Sequence, residues 1–272
     1  MVIDIFISGL ILSFITLVPL GLKWQIEKNV VILSAFLIGT TAGAVGNMTT
    51  ALGNISWYYI VLLQILLIAA TSISLLLWRF YRDPERIPPE DENIILSPAD
   101  GKVIYIKEIK KGEIPFSEKG RRRFSLHNFV QSDVLSNGGH LIGISMNYLN
   151  VHVNRAPIAG KSSLIKHIKG NFFSLKRKEA VTENERVLTV IDNGQLKIGI
   201  VQIASRLVRK IVSYIHEGQE IQKGQRIGII RFGSQVDLVL PDLTSLRIEV
   251  NPGTKVKAGI SILATYEKIN HS

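Results

Sequence analysis

Two rhythms of apolar residues divide the chain. The first is continuous: residues 5–22, 30–52 and 57–78 are almost unbroken apolar runs. A hydrocarbon layer about 30 Å thick needs roughly 20 such residues at about 1.5 Å rise each, so three transmembrane helices are expected. The first run resembles the apolar part of a signal peptide, but no basic residue precedes it and no small-residue cleavage site follows, which favours a retained helix. Gly39, Thr40, Thr41, Gly43, Gly46 and Asn47 dilute the second. Its Gly39-x-x-x-Gly43 spacing either seats a neighbouring helix or reflects the abundance of small residues in membrane helices. Lys23 and Lys28 lie between the first two runs, Arg79, Arg82 and Arg86 follow the third, and the turn 53–56 is uncharged. The positive-inside rule then places the amino terminus outside and residues 79–272 in the cytoplasm. Trp24, Trp57, Tyr58, Tyr59, Trp78, Phe80 and Tyr81 fall where the helices would meet the interface.

From Ile94 onward the rhythm shortens. Alternating, β-branched runs at 102–107, 141–146, 187–192, 196–203, 227–232 and 236–240 are separated by Gly, Asn-Gly and Pro. Short strands at such intervals predict a mainly β domain, an antiparallel sandwich or barrel. Two stretches repeat at an offset of 35: Gly218-Gln-Glu-Ile221-Gln-Lys-Gly224-Gln-Arg-Ile227 and Gly253-Thr-Lys-Val256-Lys-Ala-Gly259-Ile-Ser-Ile262. Each puts an apolar residue between two glycine turns, like the hairpins of lipoyl and biotinyl domains. Ser97-Pro98-Ala99-Asp100-Gly101-Lys102-Val103 reads as another edge of the same kind of sheet.

Charge sharpens the boundary near Trp78. Residues 1–78 hold Asp4, Lys23, Glu27 and Lys28, which cancel, whereas the rest holds 30 basic and 20 acidic side chains and the whole net charge of +10. Two domains follow, a membrane anchor over 1–78 and a cytoplasmic domain over 79–272. A basic domain tethered to a bilayer is attracted to anionic lipid by about 1 kcal/mol per nearby Lys or Arg. Nothing resembles a recognition helix, zinc finger or RNP motif, so the expected partner is a membrane surface and not nucleic acid. The densest basic cluster, Lys119 and Arg121 to Arg123 after Lys110 and Lys111, reads as a loop. The chain has no cysteine, which removes thiol nucleophiles, iron–sulfur clusters and Cys-based zinc sites. His127, His140, His167, His216 and His271 show no metal-ligand spacing, and no metal is expected.

Three polar pieces stand out against the β pattern: Asp100 in Ser97-Pro98-Ala99-Asp100-Gly101, His152 in Asn150-Val151-His152-Val153-Asn154-Arg155-Ala156-Pro157, and Ser234 in Phe232-Gly233-Ser234-Gln235. Taken singly, these are a turn aspartate, a core histidine and a glycine turn. Together they supply a hydroxyl nucleophile, a base and an orienting carboxylate. The elbow G-x-S-x-G is absent. Glycine leaves its own carbonyl open to attack by the next residue's hydroxyl, so the backbone itself can be the substrate.

With Phe80-Tyr81-Arg82-Asp83-Pro84-Glu85-Arg86, these pieces resemble, in order, the phosphatidylserine decarboxylase family of pyruvoyl enzymes over nearly all of 78–262, in its shorter branch that includes archaetidylserine decarboxylases. The resemblance implies self-processing: Ser234 attacks the Gly233 carbonyl with His152 as base and Asp100 as orienter, the chain splits between 233 and 234, and Ser234 becomes a pyruvoyl group. The amine of a serine phospholipid condenses with its ketone, which draws off electrons as CO2 leaves, and His152 returns a proton. The two fragments are expected to stay associated, and homo-oligomerisation is left open. Many members have Leu-Gly-Ser-Thr at the cleavage site and a second histidine three residues after the first. This chain has Phe232-Gly233-Ser234-Gln235 and Arg155 at those places. Arg155 would bind the lipid phosphate or carboxylate, or form a structural ion pair. The expected enzyme is a multi-pass cell-membrane phosphatidylserine or archaetidylserine decarboxylase. The readings from other classes are a membrane-tethered lipoyl-like adaptor and a serine hydrolase.

Overall fold

The computed structural model of the chain describes residues 2–24, 26–53, 55–111, 113, 116–119, 122–125, 134, 138–168, 185–204, 210–231 and 234–267. They divide into two compact units, residues 1–82 together with 147–149, and residues 83–146 with 150–272.

Helices α1 (Val2–Lys23), α2 (Lys28–Ala51) and α3 (Trp57–Tyr81) occupy the three apolar runs, and each is long and apolar enough to cross a membrane. The backbones of α1 and α2 touch. A Cβ on Gly43 would stand 2.5 Å from the Phe6 carbonyl oxygen, and one on Gly39 2.9 Å from Leu10 Cα. The Gly39-x-x-x-Gly43 pair is thus a packing face rather than a compositional accident. Gln64 of α3 is fully buried, donates from Nε2 to the Ile5 carbonyl (2.8 Å) and accepts from Ser8 Oγ (2.8 Å). Such an amide, left unpaired, would cost about 1–3 kcal/mol.

The second unit is built from β1 (Ile94–Leu96), β2 (Gly101–Ile109), β3 (Phe116–Lys119), β4 (Arg122–Ser125), β5 (Gly139–Met146), β6 (Val153–Arg155), β7 (Gly160–Ile168) and β8 (Arg186–Asp192). It continues with β9 (Lys197–Ile203), β10 (Lys210–Ser213), β11 (Glu220–Ile221), β12 (Arg226–Arg231), β13 (Ser234–Pro241), β14 (Arg247–Ile248), β15 (Lys255–Val256) and β16 (Ile262–Thr265). Among the described residues every pairing is antiparallel. An eight-stranded sheet runs β11-β7-β8-β9-β13-β5-β2-β15, beside three-stranded sheets β1-β16-β14 and β10-β12-β6 and the hairpin β3-β4. One face of the large sheet packs Ile142, Ile144, Ile200, Val236 and Leu238 into the main core, and the other buries Leu141, Leu188, Val201 and Val239. Burial on both faces explains why the central strands read as continuous apolar runs.

The six runs anticipated from alternation all fall on strands, with Leu196 just before β9 and Phe232 outside the described residues. Strand β7 was not anticipated, because a register shift between Ser162 and Leu164 breaks its two-residue period. The basic cluster expected to be a loop is instead the β3-β4 hairpin, with Lys119 opposite Arg122 and Glu118 opposite Arg123; Arg121 lies outside the described residues. Charge on both strands hid them from an apolar pattern. The two copies of the repeat share one local form. Gly218 and Gly224 flank β11 with φ of 85° and 78°, and Gly253 and Gly259 flank β15 with φ of 101° and 70°. Their buried Ile221 and Val256 join one core, and β11 and β15 form the opposite edges of the large sheet.

Replacing Gly43 with leucine should force α1 and α2 apart. Overpacking of this kind costs about 1–3 kcal/mol, so Gly43→Leu should melt several degrees below wild type in detergent, whereas Leu33→Ala, on an exposed helix position, should melt as wild type does.

Candidate functional site

Two crossings between the same two sheets bring the candidate residues together. Strand β5 ends at Met146 in the large sheet, and the chain re-enters order at β6 in the β10-β12-β6 sheet. In the opposite sense, β12 of that small sheet ends at Arg231 and β13 begins in the large sheet at Ser234. The described residues that flank the two crossings are paired with one another. Ser234 is paired with Met146, Val153 with Ile229, and the Ile230 N–H donates to the His152 carbonyl at 3.3 Å. Phe232 and Gly233 lie outside the described residues, and Ser234 is described through its backbone.

His152 is fully buried, and its Nδ1 lies 2.9 Å from the Asn150 carbonyl oxygen. A carbonyl can only accept, so Nδ1 carries the proton and Nε2 is the basic nitrogen. Burial pushes the imidazole pKa down to about 4, against smaller upward contributions from the Asn150 carbonyl and the Asp100 charge. The ring is therefore neutral at physiological pH, as a general base must be.

Asp100 does not hold the imidazole directly, as a linear triad would have it. Its Oδ1 accepts from Arg86 Nη1 (2.6 Å) and the Ala258 N–H (2.9 Å), and its Oδ2 from Arg86 Nη2 (3.0 Å) and the Val151 N–H (3.3 Å). The carboxylate thereby fixes the backbone between Asn150, which orients the ring, and His152 itself. The reason is geometric: Nδ1 is satisfied within its own loop, and the carboxylate is drawn to a planar two-pronged donor. Asp100 stands where β1 of one small sheet passes to β2 of the large one, so it belongs to a third crossing at the same place.

Arg155 is buried with its guanidinium already engaged: Nη1 donates to the Gly224 carbonyl (3.1 Å), and Nη2 to Asp83 Oδ1 (3.2 Å) and the Pro84 carbonyl (3.0 Å). Of its two expected roles, the geometry matches the structural ion pair. Arg226 also reaches Asp83 and pairs with Glu85 at 2.6 Å. Residues 83–86 are thus strapped down by Arg155, Arg226 and Asp100. Arg86 counted in the sequence only toward membrane orientation and the family motif, not as a partner of Asp100, and the buried pair of Gln202 Nε2 and Asn154 Oδ1 at 2.8 Å was not read as part of the site. A lone glutamine in the apolar run 196–203 was the available signal. His167 pairs with Glu185 at 2.6 Å, apart from this network; His127 and His271 lie outside the described residues.

The sequence pattern of the family described as phosphatidylserine decarboxylase matches residues 73–264. The chain belongs to that family. Membership makes it a lyase of the decarboxylase class, and the matched span holds Arg86, Asp100, His152 and Ser234. A protein of Methanothermobacter thermautotrophicus, provisionally named an archaetidylserine decarboxylase proenzyme, is 40% identical over 188 residues, 69% of this chain and 79% of the relative. One of Methanocaldococcus jannaschii with the same provisional name is 41% identical over 197 residues, 72% and 93% of the two chains. The phosphatidylserine decarboxylase proenzyme of Desulfotalea psychrophila is 39% identical over 203 residues, 74% and 83%. The match to the decarboxylase family begins within α3, so it covers the strap as well as the β unit.

Two predictions follow from this geometry. Arg86→Met leaves the Asp100 carboxylate without its countercharge, a change that costs about 3–5 kcal/mol at buried pairs. Urea denaturation should show that loss, with Arg86→Lys intermediate because an ammonium cannot bind both oxygens in a plane. For His152, the folded pKa of about 4 lies below the unfolded value of about 6.5. The unfolded chain therefore takes up the proton first, and the imidazole's contribution to stability is complete above about pH 6.5 and lost as pH falls toward 4. Wild type should lose more stability between pH 7 and 5 than His152→Gln, measured by denaturant unfolding.

Proposed function

We propose that the chain is a membrane-anchored, self-processing phosphatidylserine decarboxylase, cut between Gly233 and Ser234 and active on the serine headgroup of a phospholipid. The observation that carries this reading is the double crossing, in which the strand starting at Ser234 and the loop holding a neutral, oriented His152 pass between the same two sheets. Ser234 Oγ attacks the Gly233 carbonyl as His152 Nε2 takes its proton, and the amide C–N bond breaks to give an ester. β-Elimination then breaks the ester C–O bond and frees residues 1–233 as a carboxylate, and hydrolysis of the dehydrated residue 234 releases ammonia and leaves the pyruvoyl ketone. Asp100, held by Arg86, is a positioning residue that acts through the Val151 amide.

Ser234 suits conversion to a pyruvoyl group because the strand it opens does not depend on the bond before it. β13 is hydrogen-bonded to β5 from Ser234 to Pro241 and to β9 from Gln235 to Val239. β15 and β16 pair with β2 and β1. A fragment of residues 234–272 is therefore woven into the sheets of the larger one and stays bound after cleavage. A pyruvoyl group at Ser234 supplies the electron sink that loss of CO2 from an amino-acid headgroup requires. His152 delivers the proton to the carbon that loses its carboxylate, taking it up at Nε2 for that step and returning to its neutral form.

The basic loops beside α1, α2 and α3 support a three-span anchor over residues 1–78 with residues 79–272 on the cytoplasmic side, where a net positive domain meets anionic lipid. The matched glycine hairpins at both sheet edges support the likeness to lipoyl-type turns, here in a scaffold and not as a carrier. Archaetidylserine is the second reading for the substrate, favoured by the names of two relatives, since the chemistry reaches only the headgroup shared by diacyl and diether lipids.

Purified wild type should run as two fragments on denaturing electrophoresis, with a pyruvoyl mass on the smaller; an intact, unmodified chain in an active preparation would refute the proposal. Ser234→Ala should remain one inactive chain. His152→Ala should stop cleavage and Asp100→Asn slow it by about tenfold or more. CO2 release from phosphatidylserine and archaetidylserine, assayed side by side, ranks the two lipids.

A further inference from the structure

An apolar cleft of about 340 Å³ opens among the three helices, walled by Leu17 and Leu20 of α1, Val31 and Ile38 of α2, and Leu76 of α3. Its polar side chains are Ser34, Ser72 and Arg79 in a lining otherwise apolar. The Ser72 hydroxyl donates to the Ile68 carbonyl of its own helix at 2.6 Å, and an ordered water needs two or more polar partners. Left empty, the walls would forgo the dispersion contacts that a filled interior gains. Within a bilayer the available filler is hydrocarbon. The volume stands at the small end of ligand pockets, which run from about 300 to 1,000 Å³, and suits a length of one chain rather than a whole lipid.

The lining also has a direction. Trp24, Trp78 and Arg79 belong to it, from the last turns of α3 and the segment after α1, where amphipathic rings and a cation meet headgroups. Leu149 completes the wall and is itself held in place, its carbonyl accepting from Arg82 Nη2 at 3.0 Å and its N–H donating to Asn147 Oδ1 at 2.9 Å. The Trp24 and Tyr148 rings lie 5.1 Å apart. We propose that the cleft binds one hydrocarbon chain of the serine lipid, with Arg79 facing its phosphate, so that the helices select and orient substrate as well as anchor the protein. The proposal rests on the decarboxylase reading above.

The test is photolabelling of full-length protein in phosphatidylcholine nanodiscs, using a phosphatidylserine that carries a diazirine near the end of one chain. Adducts on Leu17, Leu20 and Leu76, displaced by unlabelled phosphatidylserine and not by added phosphatidylcholine, are expected. Labelling confined to outward positions such as Leu33, Leu62 and Leu66, which are exposed, or displaced equally by both lipids, would overturn the proposal in favour of bulk lipid. A cleft-filling Ser34→Phe should lower the ratio of kcat/KM for long-chain over dihexanoyl phosphatidylserine about tenfold through KM, with the two-fragment pattern as the folding control. An unchanged ratio would also overturn it. Decarboxylation without specific labelling sinks the cleft alone, whereas specific labelling without CO2 release sinks the decarboxylase reading and leaves a lipid-binding cleft.

Discussion

The antiparallel ladder between β5 and β13 is the constraint on which the site depends. It sets Ser234 opposite Met146, at the point where both chains leave the large sheet for the β10-β12-β6 sheet. Because the side-chain period of a strand is two, a slip of one residue would turn the whole apolar set of β13 to the wrong face. Val236 and Leu238 on one face and Val239 on the other are all buried, so that slip is penalised on both sides. Core packing farther along β13 thus secures the register of the candidate nucleophile.

Electrostatics then fix the loop that faces this point. Arg86 and Asp100 form a nearly buried, two-pronged pair, whose desolvation makes it a poor source of net stability. Its use is positional. The same carboxylate takes the Val151 and Ala258 amides, joining the strap 83–86, the β1–β2 turn, the His152 loop and the second glycine hairpin. Asp83 does the same for Arg155 and Arg226. A neutral imidazole inside this charged frame keeps its basic form because burial outweighs the nearby carboxylate.

The helical unit obeys a different rule. Its helices are long and apolar enough to cross a membrane, and for helices of that kind in lipid association rests on close contact and polar pairing, since there is no hydrophobic drive between them. The Gly39–Gly43 face and the Gln64–Ser8–Ile5 bonds provide them. The cleft lies toward Trp24 and Trp78, away from the Gly39–Gly43 contact.

Much of this was legible in the residues themselves. Hydrocarbon length identified the three helices, two-face burial made the central strands visible as apolar runs, and four motifs in order identified the family. Strand β7 was hidden because a register shift erases its periodicity, and the β3-β4 pair because its charges imitate a loop. The residue types at Asp100, His152 and Ser234 could be read from the chain, but not their connections. That the imidazole is oriented by Asn150, that Asp100 answers to Arg86, and that Arg155 holds Asp83 were decided by tertiary structure alone. Hydrogen-bond partners distant in sequence are chosen by which crossings the sheets bring together, and a linear pattern carries no record of that.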